Sequence, residues 1–190
     1  MASFTIIGTG NMGTAIASVL TDGGSSVINI AHEQVGTVDG DVVILAVPHP
    51  AVADVLATYG DQLTGKVVVD ITNPVNFETF DGLVVAAGSS FASDLAAKLP
   101  NSTVLKAFNT NFASTLASKK VGDAQTTVLI AGDDAAAKAS LASAIEAGGL
   151  SAIDAGSLKR AHELEAIGFL QITLAAGEKI SWTGGFAVVR

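Results

Sequence analysis

The stretch FTIIGTGNMGTAIASVL, residues 4–20, decides the fold. A strand-length apolar run, Phe4 to Ile7, gives way to three glycines at Gly8, Gly10 and Gly13, and a helical pattern then runs to Leu20. G-x-G-x-x-G directly after a strand and opening a helix is the dinucleotide fingerprint. The first glycine allows a tight turn. The second lets the main chain approach a pyrophosphate with no Cβ in the way, and the third lets the helix lie close to its strand. The anion then meets unpaired N–H groups at the helix start. The plainer reading, a flexible glycine turn, loses ground because strand and helix patterns go on alternating down the chain.

Working outward, apolar runs of strand length recur at residues 27–30, 42–47, 66–71, 103–108 and 126–132. Their continuous Val/Ile character predicts strands covered on both faces, hence a parallel sheet. Helices are predicted between them at 11–20, 51–56, 91–99 and 134–147, the last opened by Asp133 and Asp134 and stopped by Gly148 and Gly149. The expected fold class is α/β, a doubly wound and mostly parallel sheet. The crossover AHEQVGTVDGD, residues 31–41, is too short for a full helix and predicts a loop or a single turn, leaving that side of the crevice less covered. After a last strand expected at 151–156, residues 157–177 predict a long amphipathic helix with Leu164, Ile167, Leu170, Ile172 and Leu174 as apolar surface. A tail follows, in which Gly184 and Gly185 precede a short apolar strand. The expected division is a dinucleotide-binding unit over 1–155 and a C-terminal helix and tail over 156–190, the latter a dimerisation element.

With 49% hydrophobic and 15% charged residues among 190, the chain has ample material for a core. A net charge of −8 with no Lys/Arg cluster disfavours nucleic acid and anionic membranes as partners. A polyanionic cofactor is still compatible, because main-chain N–H groups and a helix end need no net positive charge. The chain has no cysteine, which excludes disulfides, thiol nucleophiles and thiolate metal sites. No secretory signal pattern and no membrane-spanning apolar run is visible, so a soluble, cytoplasmic protein is expected.

An NAD-preferring site usually places a carboxylate about 20 residues beyond the glycines. That position falls at Ala31, followed by His32, which can donate to a 2′-phosphate or be a solvated loop residue; Glu33 is the alternative acid. NADP(H) is favoured over NAD(H). No conventional catalytic set emerges, neither G-x-S-x-G nor H-E-x-x-H. His162, Glu163 and Glu165 on the last helix read as a solvated face, and no metal site is expected. Such an absence suits hydride transfer between two redox rings, where the protein supplies position and excludes water.

IIGTGNMGTAIASVL, VVILAVPHPAV, VVVDITNPVNF, LKAFNTNFA and GGFAVV together, in that order, resemble the coenzyme F420-dependent NADP oxidoreductase family of dinucleotide-binding enzymes. The resemblance spans nearly the whole chain; D-x-T-N-P followed by K-A-F-N-T is its most specific part. It implies a Rossmann-like fold, a deazaflavin, flavin or similar small-molecule redox acceptor, and a homodimer. It also implies that Thr9, Asn11 and Met12 line the pyrophosphate turn, and that Ala46, Val47, Pro48 and His49 flank the nucleotide. Thr72, Asn73 and Pro74, with Ala107, Phe108 and Asn109, would surround the nicotinamide. Asn73 and Asn109 are the positioning candidates for its carboxamide, or else turn formers. His49, between two prolines, reads equally as a rigid loop residue. Where the family commonly has Ser-Arg, this chain has Ala31–His32. Two other readings stand beside this one. GNMGTAI also resembles pyrroline-5-carboxylate reductases, imine reductases whose long helical dimerisation domain this chain does not match, and a non-catalytic NADP-sensing module would use the same pocket.

Overall fold

The computed structural model describes residues 2–31 and 36–189. Strand β1 (Ser3–Ile7) lies between β2 (Ser26–Ile30) and β3 (Val42–Leu45), with β4 (Val67–Asp70) and β5 (Thr103–Lys106) beyond, all parallel. The seven-stranded sheet is completed by β8 (Thr127–Gly132), antiparallel to β5, and β9 (Ser151–Gly156), parallel to β8. Its order, β2-β1-β3-β4-β5-β8-β9, changes direction at β1. Such a switch point opens a crevice beyond the carboxyl ends of the strands. The reversal into β8 runs through α4 (Ala113–Ser118) and a small hairpin, β6 (Lys120–Val121) with β7 (Ala124–Gln125). Neither element is signalled by an apolar run.

Side chains alternate across each strand, and the strands divide their apolar residues accordingly. Phe4, Ile6, Ile44, Val69 and Leu105 pack on one face with Ile16, Val19 and Leu20 of α1 (Asn11–Asp22) and Leu141 and Ile145 of α5 (Ala135–Ala147). Ile7, Val43, Leu45, Val68 and Val104 pack on the other with Val55 and Tyr59 of α2 (Val52–Tyr59) and Leu95 of α3 (Phe91–Lys98). Each such fully buried aliphatic side chain contributes about 1.5–3 kcal/mol. Local signals set the helix starts: Asp134 accepts from Ala137 N at 2.8 Å, and Ser90 from Ser93 N at 3.2 Å.

The C-terminal segment departs from expectation in two ways. Helix α6 (Ala161–Ala176), preceded by a 3₁₀ turn at Leu158–Arg160, buries Ala161, Leu164, Glu165, Gly168, Gln171 and Ala175. Of the five residues expected to supply its apolar face only Leu164 is buried; Ile167 and Leu170 are exposed. The inward stripe is small and polar because it meets loop backbone and buried charge, described below. The tail forms no strand among residues 181–189; it is tied down by Phe186 N donating to Gln171 Oε1 at 2.9 Å. Residues 36–41 of the short crossover form no helix. Among the described residues, no helix is long and apolar enough to cross a membrane.

Candidate functional site

Register pairs Ile7 with Leu45, Leu45 with Asp70, and Asp70 with Lys106. Four strands therefore end level, and the next residues, Gly8, Ala46, Ile71 and Ala107, begin the loops of one crevice. The three glycines do different things there. Gly8 has φ +123, and a Cβ on it would overlap the carbonyl of Ala46. Gly13 has no room for a Cβ against the carbonyl of Gly8, so α1 lies tight on the turn. Gly10, by contrast, would meet nothing within 4 Å. It is the exposed N-cap of α1, with no side-chain cap and no acidic residue in the first turn. The first-turn N–H groups thus face an open space with positive partial charge, a fit for a diphosphate.

Two adjoining hollows share Asn11, Met12, Ile71, Asn73, Phe77 and Ile172 and form one cleft. The nearer, about 340 Å³, adds Gly10, Ala46, Val47, Pro48, His49 and Thr72. The farther, about 490 Å³, adds Phe108, Asn109, Asn111, Phe112, Ala113, Ser114, Trp182 and Thr183. Most expected site residues thus come together. Thr9 is exposed beside the turn, and Pro74 and Ala107 are buried and line neither hollow. Ala31 follows the last residue of β2, partly exposed; His32 and Glu33 lie outside the described residues.

Asn73 and Asn109 pair with each other. Asn73 Nδ2 donates to the Asn109 carbonyl at 2.8 Å, and Asn109 Nδ2 donates to Asn73 Oδ1 at 2.9 Å and to the Leu164 carbonyl at 2.8 Å. Asn109 Oδ1 is left buried without a partner, as are Thr72 Oγ1 and Asn111 Oδ1. All three residues line the cleft, and buried acceptors without donors are costly unless something supplies them. Phe108 adopts φ +62 beside them, a left-handed conformation costing of order 1–3 kcal/mol for a bulky residue. Asn111 donates to the Thr127 carbonyl at 3.0 Å.

Beneath the loops lies a buried charge cluster that sequence reading assigned otherwise. Lys106 Nζ sits 2.7 Å from Asp70 Oδ2 and 2.9 Å from Glu165 Oε1, and donates to the Thr72 carbonyl at 2.6 Å. All three side chains are essentially unexposed. Glu165, read as part of a solvated face, also accepts from Phe91 N and Ala92 N at the start of α3. Of its supposed companions, Glu163 is exposed and pairs with Arg160, and His162 Nδ1 contacts the Ser89 carbonyl. Among the described residues no cluster could hold a metal. Burial raises the Glu165 carboxyl above its ordinary 4.5, with Lys106 opposing. Burial likewise lowers His49 below its ordinary 6.5, against the pull of Asp70, with its ring edge-on to Phe91. His49 is therefore a neutral hydrogen-bonding group at neutral pH.

Sequence reading missed Phe112, Trp182, Ile172 and Gly168. Trp182 arrives from the tail, its ring 5.0 Å from Phe112 and its carbonyl held by the Ser114 hydroxyl. Nothing in the tail's own pattern tells that it turns back over the strand ends.

The family model for NADP oxidoreductase, coenzyme F420-dependent, matches residues 29–74. The chain is 31% identical over 180 residues to the metalloreductase STEAP3 of Rattus norvegicus, covering 85% of this chain and 35% of that protein. It therefore spans only about a third of that relative's length. It is 31% identical over 152 residues to the F420-dependent NADP reductase of Methanocaldococcus jannaschii, covering 77% of this chain and 67% of that one. A candidate F420-dependent NADP-reductase from Arthrobacter sp. FB24 superposes with a TM-score of 0.85 and 23% identity over 100% of both chains. At that identity the likeness speaks to the fold, which is Rossmann-like. With the Methanocaldococcus reductase matched over two thirds of its length and the family model on the β2–β4 region, the chain belongs to the coenzyme F420-dependent NADP oxidoreductase family.

Proposed function

We propose that the protein is an NADP(H)-dependent oxidoreductase moving hydride between the nicotinamide and a planar redox acceptor, a deazaflavin or flavin. The observation that carries this is the continuity of the two hollows. A glycine cradle opens one end of the cleft, and Phe77, Phe108, Phe112 and Trp182 wall the other. The cradle fits the dinucleotide, because Gly10 leaves open the space a side chain would fill. The turn at Gly8–Gly13 would hold the pyrophosphate; Ala46 to His49 would flank the nucleotide; Thr72, Asn73, Phe108 and Asn109 would surround the nicotinamide. Bound NADP(H) supplies or takes the hydride. The chain's part is to hold two rings in register, accept an N–H at the unpartnered Asn109 Oδ1, and keep water out with apolar walls. Such a transfer requires no protein acid. The family, and Ala31 standing where an NAD-preferring site carries a carboxylate, support NADP(H) over NAD(H).

The test is anaerobic mixing of the protein with NADPH deuterated at C4 and, in turn, a deazaflavin, riboflavin or a ferric chelate. NADPH absorbance should fall in step with bleaching of a planar acceptor, with the label retained on the deazaflavin C5. Quenching of Trp182, the single tryptophan, reports nucleotide binding separately. Quenching without turnover on any planar acceptor would favour a sensing module instead. The same proposal includes a homodimer formed through the exposed Ile167 and Leu170 of α6. Light scattering at micromolar protein should give twice the 19.0 kDa chain mass, and a monomer mass would remove the dimer.

A further inference from the structure

Helix α6 meets the floor of the cleft at three successive places. The Leu164 carbonyl accepts from Asn109 Nδ2 at 2.8 Å. Glu165 holds Lys106, which donates to the Thr72 carbonyl at 2.6 Å. One turn beyond Leu164, Gly168 presents bare main chain: a Cβ there would overlap Asn73 Oδ1 and stand 2.9 Å from the Asn109 carbonyl. The asparagine amides are thus fixed by each other in front and by a helix without a side chain behind. We propose that Gly168 is a positioning residue for hydride transfer, setting the Asn73–Asn109 pair so that Asn109 Oδ1 is presented to the nicotinamide carboxamide N–H in the cleft. This rests on the hydride-transfer reading above. Three facts support it. Gly168 is buried in α6, where alanine is the better helix former and only close approach argues for glycine. The Asn73 amide has both its polar atoms engaged within the pair. The buried side-chain atoms left without partners, among the described residues, lie on the two loops lining the cleft.

The experiment combines Gly168→Ala with Asn73→Ala in the full chain. In nucleotide-free protein, Gly168→Ala should shift the side-chain amide resonances of Asn73 and Asn109. NADPH affinity, read by Trp182 quenching, should change by less than about 3-fold. Single-turnover hydride transfer to riboflavin should fall at least 10-fold in the parent background and less than 2-fold in Asn73→Ala, because neighbours acting through one contact are not additive. Equal losses in both backgrounds, or unmoved Asn73 resonances, would overturn the proposal. Should Gly168→Ala alone fail to fold, recovery of the fold in the double variant supports the contact, and no recovery overturns it. Failure of the unaltered protein to bind NADPH would instead overturn the functional reading itself.

Discussion

Replacing Gly10 with valine is expected to lower NADPH affinity at least about 100-fold, or about 2.8 kcal/mol, while the fold survives. The expectation comes from how differently the three glycines are placed. Gly10 has φ −71 and ψ −176, which valine adopts without strain, and its Cβ would meet no protein atom within 4 Å. The space the new side chain takes up is therefore the space assigned to the pyrophosphate, and a branched residue there separates the anion from the first-turn N–H groups. The cost to the fold is confined to a poorer N-cap, at most about 1 kcal/mol, or a melting-point drop of about 2–4 °C. Valine at Gly8 or Gly13 should behave in the opposite way, because each Cβ would collide with a carbonyl, that of Ala46 or of Gly8; loss of fold should precede any loss of binding. Titration calorimetry with NADPH beside a thermal melt checks both halves. Unchanged affinity in a folded Gly10→Val protein would remove the anion from this turn.

That contrast also shows what could be read from residues alone. The G-x-G-x-x-G spacing assigns three roles because each is a local demand of a strand–turn–helix unit, and local demands are written in adjacent residues. The sheet was legible for the same reason: uninterrupted runs such as VVIL and TVLIAG mark strands buried on both faces. Legibility failed where a residue answers to a distant partner. Glu165, in a run of charged residues, looks solvated; it is buried because Lys106 and the first N–H groups of α3 converge on it from far along the chain. Gly168 looks like a weak point in a helix until Asn73 is placed against it. The Leu/Ile series of α6 marks apolar surface without telling which part faces the sheet, and the inward stripe is the one carrying Glu165, Gly168 and Gln171. Gln171 bridges the Thr110 carbonyl and Phe186 N, a tie between cleft loop and tail that no periodicity encodes.

Lys106→Met should be strongly destabilising, costing about 3–5 kcal/mol out of a typical total of about 5–15. The side chain is of similar length and apolar, so packing is largely kept and the loss is electrostatic. Asp70 and Glu165 would be left as buried carboxylates without their shared cation, and the Thr72 carbonyl would lose its donor. The sign of the pH dependence is set by Glu165. Its carboxyl is raised by burial above 4.5 in the folded protein, so the native state holds this proton more tightly than the unfolded chain. Its contribution to stability is therefore present below 4.5 and lost as pH rises through the folded value. Removing Lys106 takes away the opposing charge and deepens that loss, so the deficit of Lys106→Met relative to the parent should be larger at about pH 7.5 than at about pH 5. Adding Glu165→Gln should flatten this difference and recover part of the deficit, since a neutral amide is cheaper to bury than an unpaired carboxylate. Urea unfolding of the parent and of both variants at the two pH values checks the sequence of effects. A deficit under about 1 kcal/mol at both, well below the buried-pair range, would mean that the three groups are not held there as charges. Thr72 lines the end of the cleft nearer Gly10 and hangs from the same lysine. The surviving folded fraction of Lys106→Met should therefore also bind NADPH more weakly, which couples the charge beneath the sheet ends to the site above them.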